Sequence, residues 1–354
     1  MVVFTSVRIV FSSVSSILQC ENSILQYADL FSVYSPSARP IQLILIFYSI
    51  LFHVCGGRNT PARLVLEEVL TEWPEDGLAH ANLGFILKQE EKHELAVHHL
   101  MRGIHSPEFA GSVEPANRGK YYYVLGDALQ RLGRNEEAHE VYSEAAGQGM
   151  FKSSYQRSVH NVDRLTARPW WSLEETTYLP FFSKLERNWK KIRDEAMAIL
   201  KIQDKTVGFQ DEAETLVQKG DWKQFDLFVR GRKVEANCKR TPNTCRLVAE
   251  FPPASSCVRG QIKFSVIHPG THVWPHCGPT NCRLRAHLGL VIPEGTGLRV
   301  ANQTRSWEEG KVLVFDDSFE HEVWHNGSSY RLILIVDVWH PELTTRERKT
   351  LKPI

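Results

Sequence analysis

The sequence predicts an α+β protein, with tetratricopeptide-like helical repeats followed by an all-β domain. Three observations predict it. Two segments with the same Leu-Gly and later Ala signature recur in the first half of the chain. At about Trp222 the apolar period changes from helical spacing to strict alternation. From there on, turn dipeptides punctuate the chain at short intervals. A length of 354 residues suits two domains. With 42% apolar and 23% charged residues, the chain belongs with folded globular proteins and not with disordered, collagen-like or coiled-coil ones. Lys plus Arg (42) and Asp plus Glu (41) leave a net charge of +1. There is no global basic field for a phosphate backbone, so no nucleic-acid partner is expected. Seven cysteines over this length do not make a disulfide scaffold.

Residues 1–58 stand apart, apolar and almost free of charge. Their strongest apolar run is Ile41–Cys55, whose 15 residues would reach about 22 Å as a helix, whereas a membrane span needs about 20 residues. Gln42, Ser49 and His53 weaken it further. Three readings stand: a short signal anchor flanked by Arg39 and Arg58, the apolar region of a late signal sequence, or a buried helix or segment outside the functional fold.

Residues 59–155 read as the repeat domain. Thr60 followed by Pro61 is a helix start. Ala81–Leu87 with Ala96, and Tyr123–Leu129 with Ala138, share one pattern. Gly84 to Ala96 and Gly126 to Ala138 are both 12 positions, and the repeat offset is 126 − 84 = 42. A small residue on each of two neighbouring helices lets them approach closely, which is the tetratricopeptide device. The period exceeds the usual value of about 34, so Ser106–Gly119, rich in Pro and Gly, is expected to be an inserted loop.

Residues 156–354 are assigned to the second domain. Leu185, Trp189 and Ile192 mark one face of a long helix expected to continue to Ile202. Alternation then predicts strands at 261–267, 283–290, 311–315 and 330–338. Between them lie Pro269-Gly270, Gly278-Pro279, Gly295–Gly297, Glu309-Gly310 and Asn326-Gly327. Short strands at this spacing make a sandwich or barrel.

Histidines concentrate in this region. His276 and His321 lie 45 residues apart, and Arg331 follows His321 by ten at the head of an apolar strand. In a double-stranded β-helix (jelly roll), an early and a late strand lie side by side at one open end. A His from each can hold Fe(II) and leave positions for an oxo-acid and O2. An Arg on the next strand then offers a bidentate partner to a carboxylate. A two-His-one-carboxylate triad would have Asp or Glu two residues after the first His, where Gly278 stands. Water, Cys277 or a distant acid such as Asp316 or Asp317 are the alternatives. Alternation also puts Arg283, Arg285 and His287 on one strand face, with Arg283 able to reach a substrate carboxylate. His268, His272, His325 and His340 are expected to be ordinary hydrogen-bonded residues.

The stretches His268–Leu290 (HPGTHVWPHCGPTNCRLRAHLGL) and Trp307–Leu343 (WEEGKVLVFDDSFEHEVWHNGSSYRLILIVDVWHPEL) resemble the catalytic core of the aspartyl/asparaginyl β-hydroxylases. The resemblance runs from about Asn59 to Ile354. It implies an Fe(II)- and 2-oxoglutarate-dependent oxygenase that works with two His and no carboxylate ligand, so Gly278 becomes the expected residue. It implies His276 and His321 as metal ligands and His276, His321 and Arg331 as the catalytic set. Arg331 would bind 2-oxoglutarate, with Ser265, Arg285 and His287 helping. Trp222, Gln224, Glu212 and Glu214, with Arg283, would line the substrate groove. Such enzymes use O2 to decarboxylate 2-oxoglutarate and hydroxylate the β-carbon of Asp or Asn in epidermal-growth-factor-like domains. They do so in the endoplasmic reticulum lumen behind one N-terminal membrane anchor. The family pattern also implies a Cys238–Cys245 disulfide, which that compartment permits. Asn302-Gln303-Thr304 and Asn326-Gly327-Ser328 are glycosylation sequons. The runner-up readings are a related oxygenase with another substrate and an inactive scaffold. The repeats favour a protein substrate, because a solenoid's concave face suits an extended chain.

Overall fold

The computed structural model describes residues 59–202, 208–212 and 215–354. The apolar run 41–55 and Glu214 therefore lie outside the described residues. No helix among the described residues is long and apolar enough to cross a membrane. The chain divides into two compact units, the first ending at Val141 and the second running from Tyr142 to Ile354.

The first unit is helical: α1 (Asn59–Glu72), α2 (Gly77–Gln89), α3 (His93–Ile104), α4 (Pro107–Ser112), α5 (Pro115–Arg131) and the start of α6 (Asn135–Gly147). Asp76 caps α2 by accepting the Ala79 N–H at 2.8 Å. A Cβ on Gly84 would lie 2.9 Å from the Ala96 carbonyl oxygen, and one on Gly103 would lie 2.7 Å from Ala81 Cα. These two approaches run in opposite senses, so α2 and α3 are antiparallel and touch backbone to backbone. Small residues at those positions are what the contact requires. Tyr121 of α5 closes against α2, donating its hydroxyl to Asn82 Oδ1 at 2.9 Å.

One expectation for this unit is corrected. The segment 106–119 is not a plain loop: it holds α4 and the start of α5. Ser106 caps α4 by accepting the Phe109 N–H at 3.1 Å, and Phe109 is buried. A cap, a Pro at the first turn and one apolar anchor outweigh the loop-like composition.

The second unit opens with β1 (Trp170–Trp171), α7 (Leu179–Arg187) and α8 (Trp189–Leu200). There follow β2 (Gln210–Asp211), β3 (Val217–Lys219), β4 (Trp222–Val229), β5 (Arg232–Lys233), α9 (Glu235–Cys238), α10 (Pro242–Ala249) and α11 (Pro252–Ser255). The remaining elements are β6 (Gln261–Ile267), β7 (His272–His276), β8 (Arg283–Val291), β9 (Thr296–Val300), β10 (Gln303–Arg305), β11 (Val312–Phe315), β12 (His321–His325), β13 (Arg331–Trp339) and α12 (Thr345–Thr350). The long helix expected from Leu185 is two helices. Asn188 breaks it: its N–H bonds the Leu185 carbonyl and its Nδ2 donates to the Lys184 carbonyl at 2.8 Å, local bonds that compete with helix continuation.

The strands form two antiparallel sheets. Among the described residues the larger runs β1-β11-β8-β13-β6-β4-β2, with β5 on β4, and the smaller runs β10-β9-β12-β7-β3. Apart from the β4–β5 and β9–β10 hairpins, neighbouring strands are non-sequential, which gives a jelly-roll arrangement. Leu332, Leu334, Val336 and Val338 join the core that packs beneath α7 and α8 with Phe182, Leu185, Ile192 and Ile199. Ile333 and Ile335 join the core shared with Leu298 and Val300 of the smaller sheet. With both faces covered, β13 reads as one apolar run. The Cys238–Cys245 disulfide is present, with Cα atoms 5.5 Å apart.

Candidate active site

The ladder between β7 and β12 places His276 directly opposite His321. Their ring centroids are 4.1 Å apart. Each ring is held the same way. His276 Nδ1 lies 2.7 Å from the Trp274 carbonyl oxygen, and His321 Nδ1 lies 2.9 Å from that of Phe319. A carbonyl can only accept, so Nδ1 carries the proton and Nε2 the lone pair. That is the tautomer and the orienting bond a metal-binding imidazole needs. Burial, with His276 alongside, pushes the His321 pKa well below the usual imidazole range, which favours the neutral, ligating form. No group of three or more His, Cys, Asp or Glu side chains converges as a metal site among the described residues. The two Nε2 lone pairs are donors of the kind a metal ion takes.

Gly278 cannot become a third ligand by simple substitution. A Cβ there would lie 2.7 Å from Asp317 Cγ and 3.0 Å from its carbonyl oxygen. The Gly278 N–H bonds that same carbonyl at 2.6 Å. Cys277 is a free thiol whose Sγ lies 3.8 Å from the Tyr155 carbonyl oxygen, and burial pushes its pKa up to about 11.

Strands β4, β6, β8 and β13 of the larger sheet carry a second group of polar side chains, Trp222, Ser265, His287 and Arg331. Arg331 is 3% exposed. No carboxylate among the described residues pairs with it, and burial lowers its pKa to about 9. Its Nη2 donates to Ser265 Oγ at 3.2 Å, while its Nε has no partner. Its guanidinium lies 4.7 Å from the centroid of the Trp307 ring. Trp222 Nε1 also donates to Ser265 Oγ, at 3.0 Å. His287 is buried, and its Nε2 has no partner. A buried cation without an anion is costly, so a site built this way is suited to an anionic ligand.

The other predicted residues fall as follows. Arg283 and Arg285 share a face of β8 but are occupied. Arg283 Nη2 meets Asp317 Oδ2 at 2.6 Å, and Arg285 meets Asp337 through Nε at 2.7 Å and Nη2 at 2.9 Å. The fully buried Asp317 would be pushed up by burial, but these two guanidiniums outweigh it and hold its pKa below the carboxylate range. Gln224 Oε1 accepts from Lys263 Nζ, a buried lysine on β6. Glu212 directly follows β2, accepting the Leu216 N–H at 3.2 Å. The residues that sequence reasoning missed are Asp337, Lys263 and Trp307. Their signals were a lone Asp inside an apolar strand, a lone Lys inside another, and a Trp three residues before a turn.

Residues 186–341 match the family model described as aspartyl/asparaginyl β-hydroxylase. The chain is 53% identical over 300 residues to the human protein named aspartyl/asparaginyl β-hydroxylase, covering 84% of this chain and 38% of that one. The mouse protein of the same name also matches at 53%, with 39% of its length covered. A Rhizobium tropici protein named ornithine lipid ester-linked acyl 2-hydroxylase is 37% identical over 173 residues, 47% of this chain and 60% of that one. The chain spans about two fifths of the length of the two mammalian relatives. By this identity, and by the matched segment that carries the histidine pair and Arg331, the chain is similar to the aspartyl/asparaginyl β-hydroxylases.

Proposed function

We propose that this chain is an Fe(II)- and 2-oxoglutarate-dependent dioxygenase that hydroxylates the β-carbon of Asp or Asn in epidermal-growth-factor-like domains. The observation that carries this reading is Arg331, a buried guanidinium without a carboxylate partner among the described residues, in a domain that also pairs two imidazoles whose Nε2 atoms carry lone pairs. His276 and His321 would hold the iron, and Arg331, Ser265 and His287 would hold the cosubstrate. Bound iron would supply the O2 chemistry that couples decarboxylation of 2-oxoglutarate to hydroxylation. The chain's own residues do the rest. The β7–β12 register fixes the two imidazoles, and the Trp274 and Phe319 carbonyls fix their tautomers. The sheet faces exclude water, and the Arg283–Asp317 and Arg285–Asp337 pairs stiffen the floor beneath the site.

The helical unit is read as tetratricopeptide-like, a fold whose concave face suits an extended protein chain, and residues 156–354 as the oxygenase domain. Trp222, Gln224, Arg283, Glu212 and Glu214 are read as the substrate side of the site. The endoplasmic reticulum lumen, with 1–58 as an anchor, is the compartment this reading implies, and the Cys238–Cys245 disulfide suits an oxidising one. A second reading has a specific support, because a relative that matches 173 residues of this chain is named ornithine lipid ester-linked acyl 2-hydroxylase.

The test is mass spectrometry of an epidermal-growth-factor-like peptide incubated with the purified chain, Fe(II), 2-oxoglutarate and ascorbate. One added oxygen on an Asp or Asn β-carbon, absent with His276→Ala and Arg331→Ala, is the expected result. Turnover of 2-oxoglutarate with the peptide unchanged would favour the other-substrate reading. No metal binding at all would leave only a scaffold.

A further inference from the structure

Trp307 touches both His287 and Arg331. Its ring stacks near His287, with centroids 6.0 Å apart and planes 21° from parallel, and Arg331 lies over it at 4.7 Å. Its Nε1 lies 3.1 Å from His287 Nδ1. An indole N–H can only donate, so His287 Nδ1 must offer a lone pair. Burial, reinforced by the charges of Arg331 and Arg285, keeps this imidazole neutral. A neutral ring has one proton, and it is then on Nε2, the buried atom that has no partner. Ser265 is polarised in the same sense. Trp222 Nε1 and Arg331 Nη2 both donate to its Oγ, taking its lone pairs and leaving its own O–H to point elsewhere.

We propose that Trp307 is a positioning residue: its indole N–H locks His287 as the Nε2–H tautomer, so that Arg331, His287 and Ser265 present donors only to a carboxylate of the bound dicarboxylic acid. The opposite tautomer would set two N–H groups against each other at Nδ1 and turn a lone pair on the carboxylate. The inference rests on the cosubstrate reading above, but the tautomer itself does not.

The experiment has two arms. In the first, the metal-free chain is labelled with 15N-histidine, and the ring proton–nitrogen correlations of His287 are read, assigned by their loss in His287→Gln. Expected is the Nε2–H pattern in the wild type, with Nδ1–H signal appearing in Trp307→Phe, which keeps an aromatic ring over Arg331 and removes the N–H. In the second arm, 2-oxoglutarate is titrated calorimetrically in the presence of Mn(II), without turnover. Trp307→Phe is expected to weaken binding about tenfold, the scale of one hydrogen bond to a charged group. In His287→Gln, whose amide N–H stands in for Nε2–H and needs no tautomer control, the same change is expected to do almost nothing. An Nδ1–H pattern in the wild type overturns the proposal without any variant having to fold. So does unchanged affinity in Trp307→Phe, or an equal loss in the His287→Gln background, which would make Trp307 a packing residue. Failure of the wild type to bind 2-oxoglutarate while showing Nε2–H would overturn the cosubstrate reading and support the tautomer assignment.

Discussion

His276 and His321 are register partners across the β7–β12 ladder, with their ring centroids 4.1 Å apart and each Nδ1 tied to the carbonyl two residues before it. The backbone therefore aims both rings. The prediction is a metal site that fails when either ring is lost. Replacing an outer-shell partner of a metal ligand typically costs about 10- to 100-fold in affinity, so His276→Ala or His321→Ala should cost at least about 100-fold. Calorimetric titration with Mn(II) checks this; retained affinity in either variant would move the site elsewhere.

Arg331 predicts a trade between stability and binding. It is buried with no carboxylate beside it among the described residues, a cost that the Ser265 hydrogen bond and the Trp307 ring offset only in part in the ligand-free state. Arg331→Met should abolish 2-oxoglutarate binding and raise the melting temperature of the metal-free chain. The rise should be of order 2–8 °C, for about 1–2 kcal/mol in a unit of this size. A lowered melting temperature would show that the guanidinium is held by interactions that offset its burial.

Gly278 predicts that a carboxylate triad cannot be restored by one substitution. A side chain there would meet Asp317, which is fully buried and gripped by Arg283 and Arg285, so neither side can give way. Gly278→Ala should destabilise by roughly 1–3 kcal/mol, the usual overpacking cost. Gly278→Asp should cost more, since it adds a charge against the Asp317 carboxylate. Urea unfolding of both variants checks the order.

How far the site could be read in advance depended on what kind of signal each residue left. The predicted strands agree with β6, β8, β11 and β13 within a residue, although β13, buried on both faces, is a nearly continuous apolar run bounded by turn signals. The histidine pair and Arg331 were legible because their spacing has a topological meaning. The partners of Arg283 and Arg285 were not. Asp317 lies in a turn and Asp337 inside an apolar strand, and only the fold brings them under β8. The signal of Trp307, a Trp three residues before a turn, was too weak to mark its role, since such a Trp is ordinarily a core residue. The break at Asn188 escaped because the apolar spacing runs unbroken through it, while side-chain bonds to the backbone decide the outcome.

The disulfide predicts a measurable share of the second unit's stability. It joins α9 to α10 across seven positions, and both sulfurs are buried in the core beneath β4. Closing so short a loop contributes roughly 2–3 kcal/mol by chain entropy. The double variant Cys238→Ser, Cys245→Ser should show that loss by urea unfolding, and dithiothreitol should destabilise the wild type and not the double variant. Equal sensitivity of both to dithiothreitol would mean that the bridge does not form in solution.

Asp316 predicts a pH dependence of opposite sign to that of an ordinary carboxylate. It is fully buried, and Oδ1 accepts the Ser318 N–H at 3.0 Å and its hydroxyl at 2.6 Å, while Oδ2 has no partner. Burial, helped by the neighbouring Asp317 charge, raises its pKa to about 8 against the Ser318 bonds that oppose the rise. The unfolded carboxyl titrates near about 4. Between those values the folded chain holds a proton that the unfolded chain has released, so stability falls as pH rises through that window. The contribution is complete below the unfolded value and lost once pH passes the folded one. Asp316→Asn keeps the shape and removes the titration. Melting temperatures of the two proteins in EDTA, from about pH 5 to about pH 9, should therefore diverge, with the wild type losing ground to the variant as pH increases. Parallel curves would mean that Asp316 is ionised in the folded protein, and that a cation or water reaches Oδ2.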